Sequence, residues 1–206
     1  MPNQPEVTPS TERPKPRALD ALRQRDFRRF WLAALVSNTG SWMQGAAIPF
    51  VAFSLTGSAA AIGVTGFFQY LPFMVMVLVG GSLADRFPRR TLLISTQVAQ
   101  AACATALFVM VYTGVVTTAW LAGLAFVSGL AGGLNTPVWQ SFVAELVSRD
   151  LLLNAVTLNS AQFNAARALG PLLTGIIVSG IGVSWAFALN AASFGIVIVV
   201  LLGLRV

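Results

Sequence analysis

The chain has 206 residues, of which 56% are hydrophobic and 10% charged, with a formal net charge of +6, whereas an average soluble domain carries about 25% charged residues. That balance excludes a water-soluble globule and, because the basic residues do not cover one folded face, a nucleic-acid-binding domain. Cys103 is the only cysteine and histidine is absent, which excludes a disulfide scaffold and leaves no thiol or imidazole cluster for a metal.

Residues 1–17 hold five prolines among scattered polar residues and are read as a disordered cytoplasmic tail. Over 18–29, Leu19, Leu22 and Phe27 alternate with Arg23, Arg25, Arg28 and Arg29. This suits a short amphipathic juxtamembrane segment, or equally an extension of the first membrane helix. Then come 55 residues without Asp, Glu, Lys or Arg (Phe30 to Ala84), 54 more from Thr91 to Ala144, and 54 from Leu151 to Leu204 broken only by Arg167. About 20 apolar residues span a bilayer, so each stretch holds two helices and a turn. The predicted spans are 30–55, 60–83, 91–112, 119–142, 154–179 and 185–204, and 30–206 is read as one six-helix membrane domain. The first span is too long for a signal peptide and is expected to be retained.

Lys and Arg near span ends mark the cytoplasmic side. Seven precede Phe30, then come Arg86, Arg89 and Arg90, then Arg149 and finally Arg205, whereas the connections near 56–59, 114–118 and 180–184 carry no charge. Both termini are therefore expected in the cytoplasm. Small residues at Gly129 and Gly133, and at Gly63 and Gly66, have the spacing that lets helix backbones approach.

After the second span the sequence reads Gly81-Ser82-Leu83-Ala84-Asp85-Arg86-Phe87-Pro88-Arg89-Arg90. A Gly followed four residues later by Asp-Arg and then a basic pair resembles the signature loop of the major facilitator superfamily. The resemblance extends from Phe27 to the C-terminal end through Ser37 to Gln44, Asn135-Thr136-Pro137, Gln140 to Val143, Glu145 to Val147, and Asn154 through Asn159 to Arg167 and Gly170-Pro171. Together these look like bacterial exporters of the enterobactin-export and macrolide-efflux type. Gly170-Pro171 followed by Gly175 also partly matches the superfamily's antiporter signature, with Ala166 in place of the preceding Gly.

The resemblance implies an all-α fold, half of a twelve-helix transporter built as a 3+3 inverted repeat, in the bacterial plasma (inner) membrane. It implies a secondary exporter of a small, largely apolar molecule, driven by protons through alternating access, with a second six-helix half as partner. The loop residues Gly81, Asp85, Arg86, Arg89 and Arg90 would then belong to the gating motif, and Gly170, Pro171 and Gly175 to the exchange motif. Such exporters often carry a charged pair at the positions of Gly45 and Pro49 and an Arg at that of Trp139. All three are uncharged here, so an unusually apolar cavity is expected.

Cavity candidates are Asn38, Trp42, Gln44, Asn135, Trp139, Gln140, Asn164 and Arg167. Asn38 with Trp42, and Asn135 with Trp139, share a four-residue spacing, but their different depths in their spans argue against repeat equivalence. Arg167, about 20 Å along its helix from Asn154, should face the interior or water and have a partner. Asn164, Arg167, Pro171 and Thr174 fall on one stripe. Two readings stand: the stripe lines the solute path, or Arg167 ties helix five to polar groups such as Asn38 or Gln140.

A nucleotide-binding G-x-x-x-x-G-K-[ST] loop does not occur, so no nucleotide cofactor is expected. An enzyme would need a nucleophile with a base or paired carboxylates, but the carboxylates after Asp26 are Asp85, Glu145 and Asp150, all at span ends. Alternatives to export are import by the same superfamily, a channel, or a non-transporting membrane partner.

Overall fold

The computed structural model describes residues 19–204, the side chain of Ala84 excepted. The predicted tail at 1–17 and the basic residue Arg205 lie outside the described residues. Among those described there are six long α-helices: α1 (Arg25–Thr56), α2 (Ala59–Arg86), α3 (Arg89–Tyr112), α4 (Thr118–Glu145), α5 (Leu152–Gly180) and α6 (Ser184–Gly203). Short 3-10 turns cover Asp20–Arg23 and Arg149–Leu151. The protein is thus all-α over the described residues. Four helices, α2, α3, α4 and α6, are long and apolar enough to cross a bilayer. The other two, α1 and α5, are as long, but carry the polar runs around Asn38 to Gln44 and Asn154 to Arg167, which dilute their hydropathy.

The helices end where backbone chemistry requires. Each of the three uncharged connections turns on a glycine with positive φ, Gly57 (64°), Gly114 (72°) and Gly182 (102°), a conformation that costs other residues a steric clash. Ser58 and Thr117 cap the starts of α2 and α4 through their hydroxyls. At the opposite end the α2–α3 turn is only Phe87-Pro88. Most of the expected signature loop is therefore helix: Gly81 to Arg86 close α2, and Arg89 and Arg90 open α3. The 18–29 segment is likewise not one helix, because the chain breaks at the extended Gln24 and α1 begins at Arg25. Phe27 and Phe30 are buried, so this stretch packs as the first turns of α1.

That end is tied by polar contacts. Arg89 donates to the Glu145 carboxylate at the end of α4, Arg90 donates to the Leu202 carbonyl of α6 at 2.7 Å, and the Ala21 amide donates to Asn154 Oδ1 on α5 at 3.0 Å.

The most extensive packing is of α2 on α4, then α1 on α5 and α3 on α6, followed by α1 on α6 and α3 on α4. Exchanging helices one to three with four to six carries each of these pairs onto another or onto itself. A Cβ on Gly129 would strike the Gln69 carbonyl and Pro72, one on Gly133 the Phe73 carbonyl, and one on Gly170 the Trp42 Cβ and the backbone of Met43. Helices therefore approach closely at the α2–α4 and α1–α5 crossings, and also at α1–α6, where a Cβ on Gly40 would strike Asn190 and Ser193. A Cβ on Gly63 or Gly66 would meet nothing within 4 Å, and the same is true of Gly81; its neighbour Gly80 is the one seated, on Pro137. The expected contacts at Gly63 and Gly66 are thus corrected, and Gly81 stands one residue, about 100° of helix, past the face that meets α4.

Inside, two apolar clusters occupy opposite ends. One joins Phe27, Phe30, Leu93, Phe142 and Leu201, the other Met43, Ile48, Leu107, Leu121 and Phe187. Between them in sequence on α1, α3, α5 and α6 lie buried polar residues, including Ser37, Gln97, Gln162 and Asn190, and Gln44 and Thr174 stand at the edge of this belt. Most helical hydroxyls turn back on their own helix, as Thr39 does to the Leu35 carbonyl (2.7 Å) and Thr105 to that of Ala101 (2.8 Å).

These contacts set a prediction. Gly133→Val should lower thermal stability in detergent by about 1–3 kcal/mol or prevent recovery of folded protein, as overpacking does, whereas Gly63→Ala should leave the unfolding temperature unchanged. Equal tolerance of the two would refute the α2–α4 contact.

Candidate functional site

The belt between the apolar clusters encloses a cavity of about 410 Å³. Helix α1 contributes Asn38, Ser41, Trp42 and Gln44, α2 contributes Gln69, Tyr70 and Phe73, and α4 contributes Gly129, Gly132, Asn135 and Trp139. Gln97 and Gln100 reach it from α3, Phe163 from α5, and Asn190 and Phe194 from α6. A neighbouring groove of about 270 Å³ shares Asn38, Asn135, Trp139 and Phe163 and adds Gln140, Asn159, Ser160 and Asn164. Gln140, Ser160 and Asn164 are exposed, and they lie toward the C-terminal half of α4 and the N-terminal half of α5. The groove thus leads from the cavity toward the end that holds Arg89 and Glu145.

Hydrogen bonds between helices fix the lining. Asn190 Nδ2 donates to Gln44 Oε1 at 2.8 Å, and Asn38 Nδ2 donates to Gln162 Oε1 at 3.2 Å. Asn135 Oδ1 accepts from Thr96 Oγ1 (2.9 Å) and from Gln97 Nε2 (3.2 Å). Trp139 is largely buried, with its ring centroid 4.2 Å from that of Phe30 and its Nε1 donating to Asn159 Oδ1 at 3.3 Å. Side-chain amides can be held inside an apolar bundle where an unpaired charge would be far more costly, because each amide finds a donor or acceptor on a neighbouring helix.

The structure brings together most of the candidates read from the sequence. Asn38, Trp42, Gln44, Asn135 and Trp139 line the cavity, and Gln140 and Asn164 line the groove. Arg167 does not tie to Asn38 or Gln140. It is exposed, with its guanidinium 5.5 Å from the Trp42 ring centroid, and Trp42 also meets the Phe163 ring edge-on at 5.8 Å. The expected stripe divides for the same reason. Asn164, Arg167 and Pro171 are exposed, while Thr174 faces α1 and donates to the Met43 carbonyl at 3.1 Å. The buried row of α5 is Ala155, Gln162, Ala166, Gly170 and Thr174, and 167 stands one residue off it.

The cavity lining carries no charged residue: aromatic rings and other apolar surface predominate in it, with side-chain amides and hydroxyls among them. Of the exchange-motif residues, Gly170 seats α5 on α1 while Pro171 and Gly175 are exposed. Of the signature-loop residues, Asp85 and Arg86 are exposed and pair with none of the described residues, whereas Arg89 and Arg90 hold α4 and α6. The sequence reading missed Gln69, Tyr70, Phe73, Gln97, Gln100 and Asn190. The available signal was the presence of amides deep in charge-free spans, where polar side chains need a partner or a purpose.

Comparison with known proteins agrees with this architecture. The family described as transmembrane secretion effector matches residues 17–206. The chain is 28% identical over 168 residues to the MFS-type transporter YfiS of Bacillus subtilis, a match covering 81% of this chain and 39% of that protein. It is 24% identical to the enterobactin exporter EntS of Citrobacter koseri, over 86% of this chain and 43% of the exporter. It is 20% identical to the staphyloferrin A transporter of Staphylococcus aureus, over 85% and 45% respectively. The chain thus spans less than half the length of these relatives. With apolar helices long enough to cross a bilayer and a family match over nearly its whole length, the chain is a multi-pass membrane protein and belongs to the transmembrane secretion effector family of the major facilitator superfamily of transporters.

Proposed function

We propose that this chain forms a six-span half, a 3+3 inverted repeat, of a secondary transporter in the bacterial plasma membrane. It moves a small, largely apolar molecule of drug, macrolide or siderophore type outward by alternating access, in exchange for protons, with both termini in the cytoplasm. The observation that carries this reading is the cavity: a charge-free, amide-lined and aromatic-lined space of about 410 Å³, continuous with a groove toward the basic end of the bundle. A packed structural bundle has no use for such a space, whereas a solute-binding site is a concave, mostly apolar pocket with a few placed polar groups.

Other features support it. The helix pairing is unchanged when helices one to three are exchanged with four to six, as a repeat requires. Prolines lie inside α1, α2, α4 and α5, where they weaken the backbone ladder and favour bending. Two relatives are named for export of enterobactin and transport of staphyloferrin A, which supports the siderophore type among these solutes. The exposed Asp85 and Arg86 at the end of α2 are free to meet a second half in one state of the cycle.

The direct test is proton flux in proteoliposomes of the full-length protein. Flux that enterobactin or erythromycin stimulates saturably is expected; flux independent of solute would instead identify a channel. Topology is checked in a Cys103→Ser background: cysteines at Gly57 and Gly114 should react with an impermeant thiol reagent from outside, and one at Pro88 should not.

Asp85→Asn should cut efflux at least tenfold at normal membrane abundance; undiminished efflux would reduce the motif to a topology signal. Arg167→Ala should shift stability by no more than about 1 kcal/mol, the worth of an exposed cation–π contact. Its efflux should fall and partly return with Arg167→Lys. Full efflux in both variants would remove Arg167 from the solute path.

A further inference from the structure

Gln97 stands on α3 and lines the cavity together with Gln100 and with Ser128, Gly129 and Gly132 of α4; a Cβ at Gly132 would meet Phe73 and Gln100 at ordinary contact distances of 3.6 and 3.8 Å. The Gln97 side chain is 2% exposed. Its Nε2 is committed to Asn135 Oδ1 at 3.2 Å, which fixes the opposite end of the amide. Gln97 Oε1 has no hydrogen-bond partner among the described residues, although Gln97 lines the cavity.

A buried acceptor left without a donor is costly, and native proteins keep few of them. Gln44 shows the contrast, since its Oε1 sits in the same belt and is satisfied by Asn190. The chemistry of the donor follows from the lining. Among the cavity residues there is no Asp, Glu, Lys or Arg, so an ammonium would enter a low-dielectric site without a counter-charge. An uncharged O–H or N–H, carried on a flat apolar body that packs against Phe73 and Tyr70, meets the acceptor at no such cost.

Resting on the transport reading above, we infer that Gln97 is a specificity-determining residue whose Oε1 accepts a hydrogen bond from an uncharged hydroxyl or amide donor of the transported solute. Asn135 and, through it, Thr96 hold the Gln97 amide in that orientation. A pocket with a placed acceptor favours a donor-bearing ligand over its methylated analogue, because the analogue leaves the acceptor unpaired.

The test measures saturable binding of 2-naphthol and of 2-methoxynaphthalene to the full chain in nanodiscs, read by tryptophan fluorescence. The probes share their rings and differ in one donor. Their unequal partition into lipid is the same for every variant, so the readout is the ratio of their affinities in the wild type against that in Gln97→Leu. The ratio should fall about tenfold in the variant, with binding of the methyl ether retained. Gln97→Met, closer in length, repeats the measurement if the Leu variant does not fold. A ratio unmoved by either substitution, with both probes still bound, overturns the role of Gln97 and leaves the transport cavity standing. Absence of saturable binding of either probe to the wild type overturns both.

Discussion

The bundle depends on how closely α2 and α4 can approach. Without water between them, helices in a bilayer gain nothing from hiding apolar surface from one another, so they associate through close packing and hydrogen bonds. Gly129 and Gly133 place α4 directly against the Gln69 and Phe73 carbonyls, and Gly80 receives Pro137 farther along the same crossing. Tight contact and open space meet at Gly129, which touches α2 and, with Ser128 and Gly132, lines the cavity that Gln97 and Gln100 of α3 also reach. At the α1–α5 crossing Gly170 does the same against Trp42, which puts that indole at the wall of the cavity instead of on the lipid surface.

The polar belt is the second organising feature. It lies between two apolar clusters, so its amides bond in a region of low dielectric, where each bond is stronger and each unpaired atom more costly than at a surface. Gln44 with Asn190 joins α1 to α6, Asn38 with Gln162 joins α1 to α5, and Asn135 with Thr96 and Gln97 joins α4 to α3. These ties give register to helices whose apolar faces alone would slide past one another. They do so without any charged residue in the cavity lining.

How far the sequence predicts this arrangement differs by feature, for physical reasons. Charge-free stretches of about 54 residues and basic clusters define the number of helices and their ends to within a few residues, because the cost of a charge in hydrocarbon dominates everything else. The glycine turns at 57, 114 and 182 fall in the predicted uncharged connections. Which glycines touch a neighbour is not legible in that way: Gly63 and Gly66 have the same kind of spacing as Gly129 and Gly133, and only a partner's position distinguishes them. The same holds for Arg167, where a rotation of about 100° separates the α1-facing row from the exposed one. Asn38, Trp42 and Asn135 were recognisable as cavity residues, whereas Gln97, although an amide deep in a charge-free span, is placed at the cavity only by where α4 and Asn135 stand.

The hydroxyls that fold back onto their own helices alter what a lipid molecule meets. Thr105 and Thr157 are exposed, yet each donates to a carbonyl one turn earlier, of Ala101 and Leu153. Their protons are therefore already spent, and a carbonyl that would otherwise carry one bond carries two. The outward surface presents methyl and methylene groups over a sheathed backbone, more oily than its letters suggest. Summing residue hydropathies along α1 and α5 for that reason understates how readily these two helices rest against acyl chains.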